Sequence, residues 1–178
     1  MRRDLPANFF GEGIAIAGDR LLQLTYTTQV GFVYDLTTFE PRGEFSYAGE
    51  GWALAGDGKR LVMSDGTPEL RFLDTTTLRE IRRITVKDDG IAVKNLNELE
   101  WVKGEILANV WHSDRIARID PESGRVTGWI DLTGLLAPSE RMDPEDVLNG
   151  IAWDAAGDRL FVTGKRWPKL FQIRVMVR

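Results

Sequence analysis

The sequence contains no cysteine and a single histidine, His112, among its 178 residues. Without cysteine the chain can form no disulfide, no thiol nucleophile and no cysteine-ligated metal site. With one histidine, a zinc site built on two imidazoles is excluded, and any Ser-His-Asp triad would depend on His112. Most familiar hydrolase mechanisms are therefore disfavoured.

Long apolar runs and basic clusters are absent as well. No run approaches the roughly 18 residues that span a bilayer, and residues 1–6 lead into no signal-like apolar core. The net charge is −4, and without a basic cluster we expect neither nucleic acid nor an anionic membrane as a partner. Length and a 43% hydrophobic content suit one domain over residues 1–178.

A short motif recurs along the chain. Gly11-Glu12-Gly13-Ile14 returns 38 residues later as Gly49-Glu50-Gly51-Trp52. Leu96-Asn97-Glu98-Leu99 returns 52 residues later as Leu148-Asn149-Gly150-Ile151. The spacing is uneven, but each motif opens a unit with the same order of strands and turns, which indicates an internal repeat.

Each unit reads as a β-hairpin followed by further strands. The hairpin turns are predicted at Gly18-Asp19, Asp57-Gly58, Lys103-Gly104 and Gly157-Asp158. Second strands are predicted over 21–25, 60–63, 106–110 and 160–163, third strands over 31–34, 69–73, 115–119 and 170–175, and outer strands over 43–47, 82–86 and 127–132. Four-stranded units every 40 to 50 residues are typical of a β-propeller, so the fold class is all-β, with about four blades present. A β-sandwich is the structural alternative.

Side chains near the unit starts are candidates for a site over the central channel. They combine carboxylates, carboxamides, a lysine and aromatic rings, which suits a small-molecule pocket: Phe10, Glu12, Tyr26, Glu50, Trp52, Asn97, Glu98, Trp111, His112, Asn149 and Lys165.

Structural interpretations of the same residues stay open. Isolated glutamates in such loops are often solvated, asparagines often cap the backbone, and His112 would lie at the rim. The tryptophans at 52, 101, 111, 129, 153 and 167 could fill the interfaces between blades. The acidic segment 143–146 lacks EF-hand spacing and is expected to be an exposed loop rather than a calcium site.

Seven motifs occur in a distinctive order between Phe9 and Ile173. They are Phe9-Phe10-Gly11-Glu12-Gly13, Glu50-Gly51-Trp52, Met63-Ser64-Asp65-Gly66-Thr67, Leu96-Asn97-Glu98-Leu99-Glu100, Ala108-Asn109-Val110-Trp111, Leu148-Asn149-Gly150-Ile151-Ala152, and Val162-Thr163-Gly164-Lys165 with Trp167-Pro168. This series resembles the plant and bacterial type of glutamine cyclotransferase, also called glutaminyl-peptide cyclotransferase.

The resemblance implies a five-bladed propeller and a transferase of the acyltransferase class that works without metal or cofactor. It also implies a monomer whose substrate is a peptide or protein with an N-terminal glutamine. The product would be pyroglutamate, formed with release of ammonia when the α-amine attacks its own side-chain carboxamide. Periplasmic or secreted location is what the family suggests.

The resemblance also assigns roles to residues of this sequence. Glu12 falls on the acidic catalytic position and would move the proton. Asn97 and Lys165 fall on polar pocket positions, and Phe10, Tyr26, Trp52 and Trp111 fall on the aromatic wall. Burial in such a pocket would raise the pKa of the Glu12 carboxyl.

The sequence departs from the family pattern in two places. Position 26 is tyrosine where the family usually has tryptophan, and nothing ahead of Phe9 matches the family's Thr-Gln-Gly motif. We therefore expect a chain that is N-terminally incomplete relative to the family. Two alternatives accompany that expectation: a peptide-binding propeller without turnover, and a metal-dependent lactonase-like propeller.

Overall fold

The computed structural model describes residues 3–176 and consists of short antiparallel sheets. Blade 1 contains β1 (Gly11–Ala17), β2 (Arg20–Thr25), β3 (Val30–Asp35) and β4 (Pro41–Ser46). Blade 2 contains β5 (Ala53–Gly56), β6 (Arg60–Ser64), β7 (Glu69–Asp74) and β8 (Glu80–Thr85). In both blades the strands pair in chain order, so each blade is a meander of hairpins.

Blades 3 and 4 follow after a small hairpin of β9 (Lys87–Asp88) and β10 (Ile91–Ala92). Blade 3 contains β11 (Leu96–Val102), β12 (Glu105–Val110), β13 (Arg115–Ile119) and β14 (Val126–Asp131). Blade 4 has three strands, β15 (Leu148–Asp154), β16 (Arg159–Gly164) and β17 (Phe171–Ile173). A 3₁₀ turn, Pro138–Glu140, lies in the long connection between them.

This architecture confirms the all-β propeller prediction and the count of about four blades. No predicted strand boundary differs from the observed one by more than two residues; the last strand, for example, is predicted over 170–175 and observed as Phe171–Ile173. The β9–β10 hairpin was not predicted, because two-residue strands leave no periodic signal. Its Asp88 carboxylate accepts a hydrogen bond from the Trp129 indole at 2.9 Å, which attaches the hairpin to blade 3.

In the described part of the chain, the core consists of three apolar layers between successive blades. Leu22, Leu24, Leu54 and Met63 belong to the layer between blades 1 and 2. Further layers join blade 2 to blade 3, around Phe72 and Leu96, and blade 3 to blade 4, around Ile116 and Leu148. Strands such as β6 are apolar at successive positions because one side chain faces the preceding blade and the next faces the following one.

Four of the six tryptophans pack against these apolar layers, as the packing interpretation expects. Trp101 and Trp129 pack against the layer between blades 2 and 3, and Trp153 and Trp167 against the layer between blades 3 and 4. Trp52 and Trp111 instead line a cavity at one end of the propeller. Within the described residues, no helix is long and apolar enough to span a membrane.

The acidic segment 143–146 differs from its prediction at one residue. Asp143, Pro144 and Glu145 are exposed, but Asp146 is only 5% exposed. Its carboxylate accepts the backbone N–H groups of Met142 and Asp143 and pairs with Arg166 at 2.8 Å. The expectation of a fully exposed loop is therefore wrong for Asp146, which holds this connection in shape.

Candidate active site

The seven side chains assigned a role from the sequence line one cavity of about 390 Å³. They are Phe10, Glu12, Tyr26, Trp52, Asn97, Trp111 and Lys165. They come from all four blades and lie at the start of a first strand or at the end of a second strand. Because these two strands are antiparallel, both places fall at the same end of a blade, and packing four blades side by side brings the positions together.

Three of the four first strands carry a β-bulge where the site residues lie. The register of β1 with β2 shifts between Gly11 and Ile14, and that of β11 with β12 shifts between Leu96 and Leu99. The register of β15 with β16 shifts between Leu148 and Ile151. A bulge adds a residue and redirects side chains, which explains how Glu12 and Asn97 face the cavity.

Backbone and side-chain hydrogen bonds connect the blades beside the cavity. The Gly13 N–H donates to the Trp52 carbonyl at 3.0 Å, joining blade 1 to blade 2. The buried Ser64 hydroxyl donates to the Asn97 carbonyl at 2.8 Å, joining blade 2 to blade 3. The Asn149 side chain accepts the Glu98 N–H at 3.3 Å, joining blade 4 to blade 3. The asparagine at 149 thus holds the backbone, as its structural interpretation expects.

The aromatic side chains form the cavity walls. Trp52 and Trp111 meet edge to face, with ring centroids 5.7 Å apart, and Phe10 and Tyr26 meet in the same manner at 6.4 Å. Phe10 is 68% exposed and Tyr26 39% exposed, so this second pair forms the outer lip. The Trp111 indole N–H is buried and has no hydrogen-bond partner among residues 3–176.

The polar side chains bring two opposite charges to the cavity. Desolvation by burial raises the pKa of Glu12, and the Lys165 ammonium opposes that rise while the Glu50 carboxylate adds to it. The Lys165 ammonium lies 5.9 Å from the centre of the Trp111 ring. The backbone N–H of Lys165 donates to the Val147 carbonyl at 2.9 Å, and this bond anchors the loop that carries the lysine.

Two glutamates outside the assigned set stand close to this centre. The pKa of Glu98 is raised to about 7, mainly by burial; the charge of Glu12 contributes to this rise and the charge of Lys165 opposes it. Glu50 accepts a hydrogen bond from the Trp52 indole at 2.7 Å. Both glutamates lie within the repeated motifs, and this position is the sequence signal that identifies them. His112 is exposed at the rim of the cavity, with its ring centre 4.2 Å from that of Trp111.

A larger groove of about 1040 Å³ lies between blades 3 and 4, away from these residues. Its lining includes Lys103, Glu105, Arg118 and Asp158. Glu105 and Arg118 are paired with each other at 2.7 Å, and Lys103 is paired with Asp158. The smaller cavity is therefore the better candidate, because its charged side chains, Glu12 and Lys165, form no such ion pair with any of residues 3–176.

Comparisons with known proteins show what the chain is similar to. A family model described as glutamine cyclotransferase matches residues 1–175. A glutaminyl-peptide cyclotransferase from Arabidopsis thaliana is 47% identical over 172 residues, which cover 94% of this chain and 53% of that protein. The chain therefore spans about half the length of that curated relative.

Solved structures agree on the fold. The crystal structure of Myxococcus xanthus glutaminyl cyclase matches with a TM-score of 0.88 and 41% identity, covering 94% of this chain and 73% of that one. The WD40 β-propeller domain of Doa1 matches with a TM-score of 0.59 at 10% identity, covering 91% of this chain and 49% of that one. The second likeness concerns the propeller fold alone.

Proposed function

The chain belongs to the glutamine cyclotransferase family, and from that premise we propose that it converts the N-terminal glutamine of a peptide or protein to pyroglutamate. One observation carries the proposal: the seven residues to which the family resemblance assigns a role all line a single cavity. The proposed enzyme is an acyltransferase that needs no metal. We propose that it is a monomer and that residues 1–178 form a single domain.

The proposed reaction is an intramolecular aminolysis. The neutral α-amine nitrogen attacks the side-chain carboxamide carbon, so a C–N bond forms and the carbonyl becomes an oxyanion. The former amide C–N bond then breaks and ammonia leaves. Because nucleophile and electrophile belong to one residue, the enzyme's tasks are to fold the side chain back, to move a proton and to stabilise the oxyanion.

Glu12 is proposed as the proton carrier. Its carboxylate would accept a proton from the attacking amine and return it to the departing nitrogen. The raised pKa of Glu12, caused mainly by burial, supports this role because a proton carrier works best when its pKa lies near the working pH. The same carboxylate would hold the amine in place before it reacts.

The remaining cavity residues are proposed to bind and orient the substrate. The Asn97 amide and the Lys165 ammonium would hold the carboxamide and stabilise the negative charge on its oxygen. Phe10, Tyr26, Trp52 and Trp111 would enclose the cyclising side chain and exclude water, which would otherwise compete as a nucleophile.

The test is release of ammonia from a short peptide with N-terminal glutamine, with the mass of the product measured in parallel. We expect turnover by the parent chain, a loss of about 10²-fold or more for Glu12→Gln, and a smaller loss for Lys165→Ala. The matched controls are Glu40→Gln and Lys59→Ala, two exposed positions that should leave the rate unchanged. Folding of every variant is checked by circular dichroism.

Each outcome distinguishes the alternatives. A Glu12→Gln chain as active as the parent would contradict the assigned role, even if the family reaction occurs. Binding of the peptide without ammonia release by the folded parent would favour the non-catalytic propeller. Loss of activity on treatment with a chelator would contradict metal independence, and a gain in thermal stability on addition of calcium would favour the lactonase-like alternative.

A further inference from the structure

Glu50 does not line the cavity, but it holds a side chain that does. Its Oε2 accepts the Nε1–H of Trp52 in blade 2 at 2.7 Å. This charge-assisted hydrogen bond is stronger than a neutral one. The charge of Glu50 is also the main cause that raises the pKa of the Tyr26 hydroxyl, at the end of β2 in blade 1.

The segment that carries Glu50 is itself fixed on two sides. The Arg71 guanidinium, only 3% exposed, donates to the carbonyls of Ala48 at 2.6 Å and Glu50 at 3.1 Å. It also pairs with the Asp65 carboxylate at 3.1 Å. On the other side, the Gly51 N–H donates to the Tyr26 carbonyl at 2.9 Å.

Gly51 is required for this approach. A Cβ at position 51 would lie 2.7 Å from the Tyr47 hydroxyl and 2.9 Å from the Thr25 carbonyl oxygen. Any larger residue would push the Glu50 segment away from blade 1. The backbone position of Glu50 is thus fixed by contacts at the junction between the two blades.

The Trp52 indole depends on Glu50 for its orientation. One side of the ring lies on Gly66, where a Cβ would stand 2.6 Å from the indole, and its neighbour across the cavity is Trp111. Neither contact provides a hydrogen-bond partner for Nε1, whereas Glu50 does. Without that acceptor, the indole would be free to tilt against Gly66.

We propose that Glu50 is a positioning residue which, by holding the Trp52 indole beside the junction of blades 1 and 2, sets the shape of the aromatic wall that receives the glutaminyl side chain. This inference rests on the proposed function for its substrate. It extends the proposed site to a residue whose effect passes through Trp52.

The experiment compares Glu50→Ala, Glu50→Gln and the exposed control Glu40→Gln. Glu50→Gln keeps a side-chain oxygen for Trp52, whereas Glu50→Ala does not. We expect Glu50→Ala to raise the KM for a peptide with N-terminal glutamine about 10-fold with little change in kcat, because one charge-assisted hydrogen bond is lost. Glu50→Gln should recover most of the KM, and Glu40→Gln should match the parent.

A second readout needs no turnover. Two indoles at this distance and angle produce an exciton couplet in circular dichroism, so the couplet reports the Trp52–Trp111 geometry. We expect Trp52→Phe to abolish it, Glu50→Ala to weaken it, and Glu50→Gln and Glu40→Gln to retain it. Thermal melting of each variant shows that the fold is kept.

The two readouts separate this inference from the proposed function. If the parent neither binds nor converts the peptide but Glu50→Ala still weakens the couplet, the function is wrong and the wall is held as inferred. An unchanged couplet and an unchanged KM in Glu50→Ala would overturn the inference while leaving the cyclase reaction intact. A Glu50→Gln chain as impaired as Glu50→Ala in both readouts would also overturn it, since a hydrogen-bond acceptor would then not suffice.

Discussion

At the scale of single residues, the site is defined by carboxyl groups that burial makes difficult to ionise. Desolvation by burial raises the pKa of Glu98 in blade 3 and of Glu12 in blade 1, and the charge of Glu12 further contributes to the raised pKa of Glu98. Glu100, two residues along the same strand, also has a pKa raised to about 7 by burial. Lys165 supplies the opposing positive charge, which lowers the pKa of both Glu12 and Glu98.

The pH dependence of stability should reveal the partly buried Glu98. Because its pKa in the folded chain is about 7, above its ordinary value of 4.5, the folded state retains a proton that the unfolded state loses between these pH values. The free energy of unfolding therefore falls as pH rises from about 4.5 to 7, and this penalty is constant above that range. Glu98→Gln carries no such penalty.

We expect the free energy of unfolding of Glu98→Gln, relative to the parent, to increase by on the order of 3 kcal/mol between pH 4.5 and pH 8. Urea unfolding at several pH values measures it. Glu100 and Glu12 are present in both chains, so their own titration largely cancels in the difference. A difference that is flat with pH would show that Glu98 ionises normally in the folded chain.

At the scale of elements, the bulged first strands combine two requirements that compete. The bulge must turn Glu12 toward the cavity, while the strand must still pack closely on the neighbouring blade. Gly13 meets the second requirement: a Cβ there would lie 2.6 Å from the Ala53 Cα and 2.8 Å from the Leu54 nitrogen. Backbone atoms cannot move aside as a flexible side chain can, so glycine is needed between β1 and β5.

Gly13→Ala should therefore destabilise the fold by about 1–3 kcal/mol through overpacking. The matched control is Gly128→Ala in β14, where the nearest atom to a new Cβ is the end of the Arg118 side chain at 3.8 Å. That control should stay within about 0.5 kcal/mol of the parent. Urea denaturation compares the two, and equal stability of both variants would show that the first strands do not approach as closely as described.

At the scale of the whole molecule, the blades share three apolar layers. Among residues 3–176, no such layer joins blade 4 to blade 1. Ala15 and Ala17 of β1 face blade 2 and are buried, whereas Ile14 and Ile16 on the opposite face are 58% and 60% exposed. Blade 1 thus has one buried face and one exposed apolar face.

Two substitutions in blade 1 test this difference between its faces. Leu22→Ala should cost about 2–5 kcal/mol, because Leu22 is fully buried in the layer with blade 2. Ile16→Ala, on the exposed face, should change the free energy of unfolding by about 0.5 kcal/mol or less. A large cost for Ile16→Ala would mean that this face is covered in solution.

Most of the fold was predictable because it is built from local pairs. Hairpins such as β1–β2 and β11–β12 join neighbouring segments through short turns, so alternation and turn residues determine them within the sequence. The cavity residues were predictable for a related reason. Each lies next to a repeated motif at a strand end, and the repeat places those ends on one face whatever the details of packing.

The sequence by itself therefore determined the blades and their number, and its repeats together with the family resemblance identified the side chains at the cavity. Only the tertiary structure decided that the Gly51 N–H beside Glu50 donates to the Tyr26 carbonyl of blade 1, that Glu98 is partly buried beside the charge of Glu12, and that Asp146 is enclosed within an acidic loop. These relations join residues of different blades or of distant loop positions. Their distances and desolvation arise from how the blades pack around the channel, which no local pattern of residues encodes.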